Sequence, residues 1–348
     1  MSRRTTALLL APLIGLLAAE VLVRVFAAAE VDVARLRAER VPGYLAPFTR
    51  YSDDPALYYE LRPHLDEDWG GVRLRTDADG LRIPTPGAPP PRAGAVRLAV
   101  VGASVTFGHR VAYEDAYPHR LARRLEAVWG VPVDLRVFAV PGYCAEQKAR
   151  LFEVAVLPWR PDLVLWDVHH RDPFPILSPD APIGMEPEVG DNPLRSALWK
   201  LVARRRHRAR IEERALGRRE EHEWLGPFLV AGPLVERQFS ILARVGTQAR
   251  EAGVPVHAFV FEALALAGPA GEEHERRLHA DLLPRLGRLG FEVLDVWPEL
   301  QREMDSRGWT DQREWWRSRD PLDVHPNVEG HAWWAETLAR GLAGARPR

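Results

Sequence analysis

Five short runs rich in β-branched and apolar residues, each followed by a stretch with helical apolar spacing, constrain this chain more than any other feature. The runs are Val96 to Val101, Val133 to Phe138, Asp162 to Val168, Val254 to Phe261 and Phe291 to Val296, with helical patterns near 116–129, 146–157, 236–252, 273–289 and 329–343. Strands that alternate with helices are joined by crossovers, and crossovers produce a parallel sheet covered on both faces. The expectation is an α/β domain over 96–348, a doubly wound three-layer α/β/α sandwich around a five-stranded parallel sheet. A highly charged stretch near 195–224, with Arg204, Arg205, Arg206 and Arg208 offset by Glu212, Glu213, Glu220 and Glu221, reads as a solvated helical insertion between the third and fourth strands. No internal repeat is detected.

Charge and cysteine content remove several function classes. The 47 Lys and Arg against 48 Asp and Glu leave a formal charge of −1. No global positive field is available to hold a phosphate backbone, so a nucleic-acid partner is excluded. Cys144 is the only cysteine, which allows neither an intramolecular disulfide nor a cysteine-based zinc site. Compartment is therefore read from the amino terminus. Arg3 and Arg4 precede an apolar run from Ala7 to Ala19 that resumes around Glu20 and Arg24 as far as Ala29. Residues 1–29 are a signal peptide or an uncleaved signal anchor, and both place the remaining chain on the extracytoplasmic side of a membrane. The anchor is favoured, because Glu20 and Arg24 stand at i,i+4 spacing and lower each other's cost in lipid. Residues 30–95 are rich in Pro, Asp and Arg and read as a leader that packs on the domain.

Two motifs carry chemistry. The first strand runs into Gly102-Ala-Ser104-Val-Thr-Phe-Gly108, a glycine-flanked turn at the carboxyl end of a parallel strand, where open α/β sheets bind ligands. Ser104 is the candidate nucleophile; the plainer reading is a serine that caps a helix. The stretch lacks the Gly-Lys-Ser/Thr ending of a P-loop and the three-glycine spacing of a dinucleotide fingerprint. The second motif is Asp320-Pro-Leu-Asp323-Val-His325-Pro-Asn-Val-Glu-Gly-His331, ahead of an amphipathic helix. His325 is the candidate general base. In extended backbone residues i and i+2 point the same way, which lets Asp323 orient its imidazole; Asp320 is the fallback acid. His331, inside the helix, reads as structural.

Together these motifs resemble the GDSL/SGNH hydrolase superfamily over roughly Tyr51 to Gly341. Gly102 to Gly108 is similar to the block that carries the nucleophile. Val137-Phe-Ala-Val-Pro-Gly142-Tyr-Cys-Ala-Glu-Gln147 is similar to the second block, whose glycine N–H helps form the oxyanion hole. Asp323-Val-His325 is similar to the block with the catalytic acid and base. Thr76-Asp-Ala-Asp-Gly80-Leu-Arg82 resembles a stretch of the bacterial, membrane-anchored members. Three departures stand out. Ala103 replaces the usual Asp, the acid lies two residues before His325 rather than three, and Arg171 occupies the place of the usual oxyanion-hole Asn.

The resemblance implies a flavodoxin-like fold and a serine esterase or acylhydrolase with no cofactor and no metal. Ser104, His325 and Asp323 would be catalytic, and Ser104, Gly142 and Arg171 would line the oxyanion hole. Small acyl esters would be its substrates, such as O-acetyl groups of cell-surface polysaccharide, or lipid esters. A polysaccharide O-acyltransferase with the same triad and a catalytically silent carbohydrate-binding scaffold are the alternatives. For Arg171 a salt bridge to Asp172 or Asp167 competes with the catalytic role. A metal reading of Asp167, His169, His170 and Asp172 is opposed by strand alternation, which sends adjacent histidines to opposite faces. The tryptophans at 309, 315, 316, 333 and 334 are sugar-stacking candidates whose plainer role is helix packing.

Overall fold

The computed structural model describes residues 3–26, 48–85, 92–169, 172, 197, 233–261, 276, 278–309 and 325–347. The amino-terminal helix α1 (Arg3–Phe26) contains Pro12, and its Glu20 and Arg24 form an ion pair at 2.8 Å. Among the described residues, no helix is long and apolar enough to cross a membrane.

Two short antiparallel pairs follow. Strands β1 (Thr49–Tyr51) and β2 (Tyr59–Leu61) form one, and β3 (Asp66–Asp68) and β4 (Arg73–Arg75) the other. Phe48, Leu57, Tyr59, Leu61, Leu65, Trp69 and Leu74 are buried in the same core as the main sheet. Strands of three residues are too short to show a period-2 pattern, so the sequence assigns no elements to this stretch.

The main sheet comprises β5 (Val96–Gly102), β6 (Val133–Ala139), β7 (Leu163–His169), β8 (Val256–Phe261) and β9 (Glu292–Leu294). All pairings are parallel, and the order is β6-β5-β7-β8-β9. Renumbered within the sheet this is 2-1-3-4-5, the flavodoxin-like doubly wound order, in which the strands are added first to one side of β5 and then to the other. Alternate residues of each strand face opposite layers. Leu98, Val100, Leu163, Leu165, Phe259 and Phe261 pack beneath α3 (Tyr117–Trp129) and the carboxyl-terminal helix (Val328–Leu342). Ala99, Val101, Val164, Trp166, Val168 and Ala258 pack on the other face. That face is covered by α4 (Ala145–Leu151), α5 (Pro233–Ala252), α6 (Leu283–Arg288), α7 (Trp297–Arg307) and the leader.

Between β5 and α3 lies a four-residue helix, α2 (Ser104–Phe107), and the carboxyl-terminal helix is α8. The insertion near 195–224 lies outside the described residues apart from Ala197, a helical position.

Candidate active site

Strand β5 ends at Gly102, and the chain turns at once into α2, so Ser104 stands at the carboxyl end of a central strand, half-buried at the first position of the turn. The turn is short because Gly108 follows it with φ 77°, a left-handed conformation that stops the helix. A Cβ at Gly108 would lie 2.6 Å from the Cβ of Ala116, so the position also has no room for a side chain. The Ser104 carbonyl accepts the backbone N–H of His109 at 3.0 Å, which closes the turn and fixes where the His109 ring begins.

The end of the turn is held by Arg82 from the leader. Its guanidinium donates to the carbonyls of Phe107 (2.8 Å), Gly108 (2.9 Å) and Val111 (2.7 Å). The side chain is buried, and that burial lowers its pKa to about 10. Carbonyls just past a helix terminus have no helical partner, and here one planar fork of donors satisfies three of them.

Gly142 lies in a tight turn, Val140-Pro141-Gly142-Tyr143, closed by the Tyr143 N–H on the Val140 carbonyl at 3.1 Å. Proline in second place and glycine at φ 89° in third are the requirements of a type II turn. Two tyrosines brace it: the Tyr59 hydroxyl donates to the Pro141 carbonyl at 2.6 Å, and the Tyr143 hydroxyl donates to the Tyr59 carbonyl at 2.5 Å. Cys144 then begins α4 and is buried, and burial pushes its thiol up, away from the reactive thiolate. Gln147 completes the cap by accepting from the Cys144 N–H at 3.2 Å while donating to the Leu57 carbonyl at 2.7 Å.

His325 comes from the far end of the chain. Two residues later Asn327 caps α8, its side chain accepting the Gly330 N–H at 2.9 Å. The His325 ring stacks on the His109 ring, with centroids 4.1 Å apart and planes at 27°. His109 in turn meets Trp69 edge-on at 4.7 Å, and Trp69 packs against Phe107 at 5.7 Å. The ring of the proposed base therefore rests on a residue whose own backbone is bonded to Ser104. His331 is fully buried, and its Nδ1 accepts the Tyr117 N–H at 3.2 Å, tying α8 to α3. Trp334 is a core residue, packed against Phe259 and Phe261.

Beneath the turn lies a charged cluster that motif reading did not find. Lys148 on α4 is wholly buried and bonds Asp172 at 2.6 Å and the Asp167 carbonyl at 2.9 Å, with the Asp167 carboxylate at 3.9 Å. The Thr106 hydroxyl donates to Asp167 at 2.7 Å and lies 2.8 Å from the Tyr117 hydroxyl. Burial pulls the Lys148 ammonium down, but Asp167 and Asp172 outweigh it and hold the group above its ordinary value. Burial also pushes the Asp172 carboxyl up to about 6, against the attraction of Lys148. Asp167 and Asp172 thus face an ammonium and a hydroxyl. Among the described residues no group of three or more His, Cys, Asp or Glu side chains is arranged to hold a metal ion.

Ser104, Gly142 and His325 are therefore placed by the described structure, at the carboxyl end of β5, the turn after β6 and the approach to α8. Asp323, Asp320, Arg171 and His170 lie outside the described residues. The supporting residues Arg82, Thr106, His109 and Lys148 carry no local signature of these roles, because their partners are distant in sequence.

No family model matches the chain, and no curated protein matches it. Solved structures that match include an acetylxylan esterase from Geobacillus stearothermophilus, 14% identical over 71% of this chain and 94% of that one, with a TM-score of 0.42. Others are a psychrotrophic esterase from Pseudoalteromonas sp., 9% identical over 72% and 97% with a TM-score of 0.42, and an α/β hydrolase from the metagenome of Lake Arreo, Spain, 15% identical over 72% and 96% with a TM-score of 0.42. Strand order and register, rather than these superpositions, define the fold.

Proposed function

We propose that this protein is a serine ester hydrolase of the GDSL/SGNH type that acts on small acyl esters, including O-acetyl groups on cell-surface polysaccharide. The observation that carries the reading is the convergence of two remote motifs. The Ser104 turn and His325, more than 200 residues apart, meet through the stacked ring of His109. The Gly142 turn beside them follows the neighbouring strand.

In this mechanism the Ser104 hydroxyl attacks the ester carbonyl carbon, and its proton passes to His325. The tetrahedral oxyanion is held by the N–H groups of Ser104 and Gly142, with the Arg171 guanidinium replacing the usual Asn. Collapse breaks the ester C–O bond, and His325 returns the proton to the leaving alcohol. Water then attacks the acyl-enzyme and gives its proton to His325; the bond from the acyl carbon to the Ser104 Oγ breaks, His325 returns that proton to Oγ, and the carboxylic acid leaves. Asp323 holds His325 in the required tautomer and stabilises the imidazolium, and Asp320 is its fallback. No step requires a cofactor or metal. Residues 1–29 would anchor the chain so that this chemistry takes place outside the cytoplasm.

The test is hydrolysis of a short-chain aryl ester series by residues 30–348. Ser104→Ala is expected to reduce kcat/KM by at least about 10³-fold, and Arg171→Ala by roughly 10² to 10³. Wild-type rates no higher than those of a folded Ser104→Ala variant would sink the hydrolase reading. Acyl transfer to added sugar in preference to water would point to the acyltransferase, and absence of both reactions to a silent scaffold.

A further inference from the structure

The Lys148 cluster has no part in the mechanism above, and as a stabilising device it is a poor one. Taking charges out of water is expensive, and replacing a buried ion pair with apolar residues of similar volume often leaves a protein as stable or more so. Yet Lys148 has no measurable exposure, and Asp167 and Asp172 are buried with it. What such a cluster does supply is geometry, since each charge is costly in any arrangement but one.

Its partners come from the segments that matter for the site. Thr106 belongs to the Ser104 turn and donates to Asp167. Lys148 lies one helical turn beyond Cys144, on the helix that leaves the Gly142 turn. Asp167 belongs to β7. Asp172 follows that strand, and its carbonyl accepts the Ala145 N–H at 2.9 Å, at the start of α4. Its carboxylate also accepts the His169 N–H at 3.0 Å. A continuous path of polar contacts thus runs from the Ser104 turn through Asp167, Lys148 and Asp172 to the first residue of α4, three positions past Gly142.

We propose that Lys148 is a positioning residue that, by bonding Asp167 and Asp172 together, sets the Ser104 and Gly142 turns at the separation their N–H groups need to share one oxyanion. The proposal rests on the ester-hydrolase reading and adds to it a residue outside its motifs. Oxyanion donors act in the transition state, so loosening their separation lowers kcat and leaves ground-state binding unchanged.

Four forms of the full chain test this with an aryl acetate: wild type, Ser104→Ala, Lys148→Met and Thr106→Val. Near-UV circular dichroism and the thermal midpoint serve as checks on folding. Lys148→Met is expected to lower kcat roughly 10- to 100-fold with KM unchanged, and Thr106→Val to lower it in the same sense. Thr106→Val removes no charge and leaves Lys148 bonded to Asp172 and to the Asp167 carbonyl, so it decides the question if Lys148→Met does not fold. Wild-type kcat in folded Lys148→Met or Thr106→Val overturns the inference alone, provided wild type exceeds Ser104→Ala. A rise in KM with kcat unchanged overturns it too. Wild type equal to Ser104→Ala overturns the hydrolase reading, and this inference with it.

Discussion

Gly102 shows how closely one position can be tied to what lies beneath the site. A Cβ there would collide with the Thr106 hydroxyl and lie 2.8 Å from the Asp167 carboxylate. The glycine is required for space rather than for backbone freedom. Gly102→Ala is expected to cost about 1–3 kcal/mol of stability and to lower esterase activity, because the methyl group must displace Thr106, Asp167 or both. A denaturation midpoint unchanged from wild type would show that the cluster has room to yield. Glycine before Ala103-Ser104 is plain in the sequence, but the reason for it is not, since Asp167 is 65 positions away.

At the scale of elements, the period-2 and period-3.6 patterns located the five main strands, with boundaries within about two residues of those observed. The Val140–Tyr143 turn was equally accessible, because proline followed by glycine admits few conformations. Helix α7 has no such signature. Its buried apolar residues are Trp297, Leu300 and Met304 among mostly charged neighbours, too sparse a stripe to stand out. Helix α8 was found, and its cap matters to the proposed base. Asn327 is two residues from His325 and holds the first turn of the helix. Asn327→Ala is expected to destabilise the protein by about 1 kcal/mol and to reduce kcat by loosening the approach to His325. A stability loss of that size with full activity would separate the cap from the placement of the base.

Across the whole molecule, the buried cluster makes stability depend on pH with a definite sign. The Asp172 carboxyl is raised from 3.8 in the unfolded reference to about 6 in the folded protein. The folded state therefore binds this proton more tightly than the unfolded chain. The stabilisation that results is fully present below about pH 4 and is lost as pH rises through 6. Relative to an Asp172→Asn variant, wild type should lose unfolding free energy between pH 4 and pH 6 and run parallel above that range. Urea titrations at several pH values measure the difference, and a constant difference between the two proteins from pH 4 to 7 would contradict the assignment.

The doubly wound α/β class and the candidate positions Ser104, Gly142 and His325 are legible in the amino-acid sequence. Strand alternation, turn chemistry and short motifs are local properties, legible within a few residues. Tertiary structure decided what surrounds those residues. The Arg82 fork on three carbonyls, the His109 ring under His325, the Tyr59 brace on Pro141 and the Lys148 cluster all join residues from 19 to more than 200 positions apart. Such contacts leave no periodic trace, because any chain that closes this sheet can bring the same backbone together while many different side chains meet across it.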